Sequence, residues 1–336
     1  MKTRRIGPFE VAEIGLGCMN LSHAYGTPPE PAAAEALLLQ ALDAGVTLFD
    51  TAALYGFGAN ETLVGRVLQA HRSRIVLCSK GGMTGQPVGA GGALQRVIDG
   101  RPASIQRDCE DSLRRLGTDV IDLYYLHRWD KTVPIEDSVG AMARLVEQGK
   151  VRALGLSEVS AATLKRAQAV HPIAALQTEY SLWTRNPEIA VLQACAESGT
   201  AFVAFSPVGR GFLCGAPLDA AAFAPKDIRR AMPRFEPTHA AANAPLLPAL
   251  ADLAAQGGCT PAQLALAWLL ARGEHVIPIP GTTQAAHLQE NLAAATVAVP
   301  PAVMTALDSL FAPGRISGER YNAQNESEVD TERFAA

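Results

Sequence analysis

The feature that most constrains this chain is a strand–helix alternation repeated eight times. Short apolar or β-branched runs occur at 14–18, 48–52, 75–80, 121–127, 152–157, 175–180, 201–207 and 276–280. Helical patterns lie between them at 31–44, 61–70, 104–116, 135–148, 161–170 and 187–198, then 246–256 with 261–271, and finally 285–295. Gly45, Gly117, Gly149 and Gly199 each follow a helical pattern where a left-handed cap belongs. Pro261 follows Thr260 in the order of an N-cap and a first helical proline. Eight units in 336 residues recur once per 42. Strict alternation makes a parallel sheet, and eight repeats predict an α/β fold, a closed (β/α)8 TIM barrel. A doubly wound sheet would bring G-x-G-x-x-G after its first strand. Gly15-Leu16-Gly17 begins that way, but position 20 is Asn20. Residues 1–312 read as a single barrel domain, and the polar segment 313–336 as a partly mobile C-terminal tail.

Two excursions interrupt the rhythm, at 82–101 after the third strand and at 208–243 after the seventh. Both follow strand C-termini, the end at which barrels build active sites, so the expectation is long functional loops at that face. The formal charge, 29 basic against 33 acidic residues or −4, argues against a nucleic-acid partner. No apolar run reaches the roughly 18 residues needed to span a bilayer. The opening MKTRRIGPFE has no apolar stretch after it, which predicts no signal peptide. The six cysteines form no C-x-x-C pair, so the chain reads as a cytoplasmic protein with reduced thiols. His23, His71, His171, His239 and His275 are dispersed, which gives no metal-ligand spacing.

The chemistry is suggested by what closes the strands. The second run ends in Asp50, the third in Lys80 and the fourth in His127, and Tyr55 follows Asp50 by five residues. A buried parallel strand would prefer Val or Leu at such positions. In a barrel these groups gather at one rim. A phenol with an ordinary pKa of about 10 is a poor acid or base at neutral pH. A neighbouring ammonium is expected to lower that pKa, with Asp50 holding the lysine charged. With His127 hydrogen-bonding an oxygen, the set forms a general acid/base aimed at a C–O bond. It lacks a nucleophile and a metal cage. Proton transfer to oxygen with a cofactor-supplied hydride is the class that fits. Trp129, Met19, Tyr25 and Phe57 read as walls of an apolar, aromatic substrate pocket suited to aldehydes with a ring or chain.

Nearly the whole chain resembles the aldo-keto reductases. The matching stretches are GLGCM at 15–19, FDTAALYG at 49–56, SKGG at 79–82, IDLYYLHRWD at 121–130, GKVRALGLSE at 149–158, LQTEYSLWTR at 176–185, AFSPVGRGFL at 204–213, TPAQLALAWLL at 260–270 and IPIPGTTQAAHLQEN at 277–291. The resemblance implies a barrel that binds NADP(H) without a Rossmann motif and reduces aldehydes or ketones to alcohols, or the reverse. It implies Tyr55 as proton donor and acceptor, Lys80 and Asp50 as its tuning pair, and His127 as orienter of the substrate oxygen. It also implies cofactor contacts from Gly17, Met19, Asp50, Ser157 and Gln177. Ser206, Pro207, Val208, Gly209 and Gly211 match the pyrophosphate cradle. Gly281 and Thr282 match the adenosine-phosphate site, and Glu290 and Asn291 the adenine contacts.

Two departures stand out. Glu158 replaces the usual Asn after Ser157, which removes an amide donor from the nicotinamide site. Thr283, Gln284 and His287 stand where relatives place fully charged residues. Charge-assisted bonds to phosphate are roughly twice as strong as neutral ones, so discrimination by a 2′-phosphate should weaken and NAD(H) become usable. Arg210 and Arg315 are the candidate compensating cations. The alternative reading is a cofactor-sensing regulatory subunit of the same fold, marked by a damaged tetrad. Here the tetrad is complete.

Overall fold

The strands run in the expected order, with two hairpins added. The computed structural model describes residues 1–22, 24–88, 92–215 and 220–334, so His23 and the tips of both excursions lie outside the described residues. A hairpin of β1 (Thr3–Ile6) and β2 (Phe9–Ala12) precedes β3 (Leu16–Gly17), β4 (Leu48–Asp50) and β5 (Val76–Gly81). A second hairpin, β6 (Met83–Val88) and β7 (Ala93–Ile98), comes next. Then follow β8 (Ile121–Leu126), β9 (Val151–Ser157), β10 (Ile173–Glu179), β11 (Ala201–Phe205) and β12 (Val276–Pro278).

The eight core strands are parallel, in the order β3-β4-β5-β8-β9-β10-β11-β12. Backbone bonds from Gly15 N–H to the Pro278 oxygen (3.0 Å) and from Gly17 N–H to the Pro280 oxygen (3.2 Å) join the first strand to the last and close the ring. Alternate side chains face opposite ways, as the pleat requires. Leu48, Cys78, Leu123, Tyr125, Ala153, Ala175, Val203 and Ile277 fill the interior. Phe49, Leu77, Tyr124, Leu154, Leu176 and Phe202 pack outward into the larger core with the helices. Both faces are buried, which is why these runs are apolar throughout rather than alternating. Ile6 and Val11 of the first hairpin belong to the interior cluster and plug the N-terminal mouth.

The helices are α1 (Pro31–Asp43), α2 (Ala59–Leu68), α3 (Pro102–Leu116), α4 (Ile135–Glu147), α5 (Ala161–Gln168) and α6 (Val191–Ser198). They continue with α7 (Pro237–Asn243), α8 (Leu246–Gln256), α9 (Pro261–Leu270), α10 (Ala285–Ala293), α11 (Pro301–Leu310) and α12 (Ala323–Ser327). All four cap glycines have positive φ. Thr260 and Gln263 form a reciprocal capping box ahead of Pro261. Among the described residues no helix is long and apolar enough to cross a membrane.

The C-terminal segment differs most from its expectation. Residues 313–334, read from composition as a loosely held tail, pack back over the strand ends. Tyr321 and Val329 are buried. Asp330 accepts bonds from Ser160 Oγ (3.0 Å) and Thr163 Oγ1 (2.7 Å) at the start of α5. Lys131 Nζ donates to the Ser327 and Val329 oxygens. The principal anchor is a buried ion pair: Arg320 Nη2 donates to Glu158 Oε2 at 2.7 Å. Glu158 holds a left-handed backbone, φ +58°, and also accepts from the Glu179 N–H. The segment is polar because its contacts are polar, and composition alone reads such a segment as solvated.

Removing one partner of a buried pair strands the other charge, whereas replacing both is often nearly neutral. Glu158→Gln is therefore expected to lower unfolding free energy by about 3–5 kcal/mol, and the double change Glu158→Gln with Arg320→Met to recover most of it. Urea unfolding of the three proteins checks this. Equal losses in the single and double variants would show that the pair does not hold the segment.

Candidate active site

The site is built at the C-terminal ends of three neighbouring strands. β4 ends at Asp50, β5 carries Lys80 beside Tyr125 of β8, and His127 lies one residue past β8. Tyr55 sits in the turn after β4, where Gly56 and Phe57 both take positive φ (58° and 51°) and bring the phenol back over the rim. Lys80 is fully buried. Its Nζ donates to Asp50 Oδ1, to the Thr51 carbonyl oxygen (3.0 Å) and to the Tyr55 hydroxyl (3.2 Å), which uses all three ammonium protons. Gln177 Nε2 donates to the second Asp50 oxygen at 2.8 Å. The Tyr55 and His127 rings meet edge to face, with centroids 5.7 Å apart.

Burial dominates the electrostatics. It pushes the Lys80 ammonium down, but Asp50 and the Tyr55 oxygen more than offset this, and the net shift is upward. The amine therefore stays charged. Burial also raises the Tyr55 phenol. Lys80 opposes that rise without cancelling it, so the net direction is up. This corrects the expectation that the lysine would bring the phenol below its ordinary value: a group at the base of a pocket loses more hydration than one cation returns.

Beside the tetrad lies a cavity of ≈ 670 Å³. Gly17, Met19, Asp50, Ser157 and Gln177 line it, as do Ser206, Pro207, Val208 and Gly211, then Gly281, Thr282, Thr283, His287, Glu290 and Asn291. The walls fit an extended dinucleotide. A Cβ on Gly17 would meet the Ile279 oxygen at 2.9 Å, and one on Gly281 the Gly17 oxygen at 2.8 Å, so only glycines let these two segments form the floor. Along the loop after β11, Ser206, Gly209, Arg210 and Gly211 all hold positive φ (49°, 60°, 56° and 96°). Two of these are not glycine, and such strain clusters at ligand clamps. Turns of this kind expose N–H groups as anion cradles. The N-terminus of α10 opens beside Thr282 and Thr283, a second anion-favouring position.

The remaining expected residues divide. Tyr25 lines the cavity. Gly209 and Gln284 do not, although Gly209 belongs to the loop and the Gln284 N–H donates to Thr282 Oγ1 at the start of α10. Phe57 and Trp129 are not cavity walls. Phe57 faces outward and lies over Gly85 of the second hairpin. Trp129 Nε1 donates to the Val133 oxygen (2.8 Å), with the Arg166 guanidinium over its ring. Glu158 is outside the cavity, because it is committed to Arg320. Arg210 lines the cavity but is paired with Glu179 (2.6 Å) and bonded to the Tyr25 hydroxyl, and Arg315 does not line it. Neither candidate cation is placed to make up for Thr283 and Gln284.

Sequence reasoning missed other wall residues: Arg96, Arg128, Met83, Ile228, Arg229, Met232, Tyr321, Asn325 and Glu328. Most come from the second hairpin, the long loop and the C-terminal segment. Arg96 Nη2 bonds Glu328 (2.6 Å) and Asn325 (3.1 Å), so hairpin and C-terminal segment meet at the cavity. The wall is therefore mixed rather than aromatic.

Comparison with known proteins agrees with the architecture. The model of the aldo/keto reductase family matches residues 13–312. A probable aldo-keto reductase 1 from Glycine max is 40% identical over 314 residues, covering 93% of this chain and 89% of that protein. The structure of a glycerol dehydrogenase from Gluconobacter oxydans superposes with a TM-score of 0.84 at 27% identity, covering 99% of both chains. An aldo/keto reductase from Klebsiella pneumoniae in complex with NADP and acetate superposes with a TM-score of 0.72 at 28% identity, covering 96% of this chain and 99% of that one. With a closed eight-stranded barrel, a buried Asp–Lys–Tyr chain at its rim and a family match over most of its length, this chain belongs to the aldo/keto reductase family.

Proposed function

We propose that this chain reduces aldehydes or ketones to alcohols, or runs the reverse reaction, with NADP(H) or NAD(H) held in the large cavity. The observation that carries the reading is the buried Lys80 ammonium, bonded at once to Asp50 and to the Tyr55 hydroxyl at the cavity's edge. A bound reduced nicotinamide supplies the hydride. Ser157 and Gln177, which line the cavity, are the side chains this reading assigns to its carboxamide. Gln177 gives one amide proton to Asp50, and its carbonyl oxygen is the acceptor this reading assigns to the carboxamide.

The chain's own residues handle the oxygen. His127, edge-on to Tyr55, hydrogen-bonds the carbonyl oxygen and aims it at the phenol. Tyr55 donates its proton as negative charge develops there, and Lys80 stabilises the phenolate left behind. The raised phenol pKa sets the balance between directions. Tyr55 is protonated at neutral pH and ready for reduction, whereas oxidation needs the phenolate that burial disfavours. Rising pH should therefore aid oxidation.

At the adenosine end no lysine or arginine from residues 279–291 faces the cavity. A 2′-phosphate there meets the α10 N-terminus, Thr283 and His287, which are weak substitutes for a guanidinium fork.

Two outcomes follow from one assay of cofactor absorbance with an aromatic aldehyde. Tyr55→Phe is expected to lower kcat about 100- to 10,000-fold with unchanged cofactor binding. Retention of wild-type turnover would remove Tyr55 from its role, and cofactor binding without any wild-type turnover would favour a sensing function. The NADPH-to-NADH ratio of kcat/KM is expected to stay below about 100, which is roughly 2.8 kcal/mol of discrimination. A larger ratio would mean that the 2′-phosphate has a strong partner after all.

A further inference from the structure

Among the described residues four arginines line the cavity, and three are already paired. Arg96 bonds Glu328, Arg210 bonds Glu179 and Arg229 bonds Asp227, at 2.6, 2.6 and 2.7 Å. Arg128 differs. It follows His127, is half-buried and lines the cavity. Its Nη1 donates to the His127 carbonyl oxygen (2.8 Å) and to Ser157 Oγ (3.1 Å). Among the described residues it forms no ion pair, and its Nε–Nη2 edge has no protein partner.

The carboxylates of the cavity wall are engaged or distant. Asp50 pairs with Lys80 and Glu328 with Arg96, while Glu290 stands on α10 beside Asn291. Among the described residues, the reacting end therefore carries Arg128 as a positive charge with no carboxylate paired to it. That charge is felt at the Tyr55 hydroxyl, whose proton it makes more acidic. A partly desolvated guanidinium without a counter-ion is costly, and its planar edge matches a carboxylate through two parallel hydrogen bonds.

We propose that Arg128 is a specificity-determining residue that holds a carboxylate on the substrate, so that the substrates of this chain are oxo acids. The proposal rests on the reductase reading, which places the carbonyl oxygen between Tyr55 and His127. The reaction itself is unchanged: hydride goes to the carbonyl carbon, the Tyr55 proton goes to its oxygen, and the carboxylate is bound but not altered. The competing role is positional, with Arg128 only orienting Ser157 toward the cofactor.

The test uses the full chain with NADPH and two matched aldehyde series, the carboxybenzaldehyde isomers and the nitrobenzaldehyde isomers. Each pair is nearly equal in shape and differs in charge. Wild type is compared with Arg128→Gln and Arg128→Lys, and the NADPH Kd is measured separately by fluorescence quenching. For the best-bound isomer, Arg128→Gln is expected to lower the carboxy-to-nitro ratio of kcat/KM by about 10- to 100-fold. The loss should fall on KM, with the NADPH Kd unmoved. Arg128→Lys should recover part of the ratio, because a point charge replaces the fork. An unchanged ratio, or a parallel loss in both series with a weakened NADPH Kd, would overturn the assignment and leave only the positional role. Failure of wild type to turn over either series would instead sink the reductase reading, and the Arg128 assignment with it.

Discussion

Everything at the functional end of this molecule depends on one buried charge. An ammonium without water is tolerable only when each of its protons has an acceptor and a negative charge lies beside it. Lys80 meets both conditions, with Asp50, the Thr51 carbonyl and the Tyr55 hydroxyl as its partners. Asp50 in turn is held by Gln177, from a strand on another part of the ring. The geometry therefore requires a closed barrel. Parallel strands β4, β5 and β8 in register bring Asp50, Lys80 and His127 to one rim, and the ring closure places Gln177 within reach.

Around that point the cavity is divided by chemistry. One end is glycine floor, strained loop and helix N-terminus, suited to a dinucleotide. The other is walled by segments added to the barrel: the second hairpin, Ile228, Arg229 and Met232 further along the loop after β11, and the C-terminal segment. Two ion pairs secure these additions. Arg96–Glu328 joins hairpin to C-terminal segment, and Arg320–Glu158 fastens that segment to the strand end. That second pair is what Glu158 forms at the position where the resemblance leads one to expect an Asn. The position next to Ser157 has become a buried anchor for the segment that supplies Tyr321, Asn325 and Glu328 to the wall.

How legible this was depended on the range of the interactions. The eight strands and most helices were readable because burial on both faces leaves continuous apolar runs and caps leave glycines. The gathering of Asp50, Lys80 and His127 at one rim was readable because they interrupt such runs. Phe57 and Trp129 were misplaced because chain proximity to Tyr55 and His127 says nothing of direction: positive φ at Phe57 turns its ring outward, and Trp129 is drawn to Val133. Arg128, between His127 and Trp129, reaches the cavity where the tryptophan does not. The excursion at 82–101 was located, but its contact with the C-terminal segment and the docking of that segment were not legible, because salt bridges between distant polar residues leave no period in a sequence. The direction of the Tyr55 shift was likewise out of reach, since it is decided by burial against one cation.

The central claim is that a buried, charged lysine holds a neutral phenol as the acid at the cavity's edge. The most direct test is the tyrosinate absorbance of the ligand-free chain across alkaline pH, taken as wild type minus Tyr55→Phe to isolate one phenol. The account predicts an inflection above the ordinary value of about 10, moving higher in Lys80→Met. An inflection at or below that value, or one indifferent to Lys80, would contradict it.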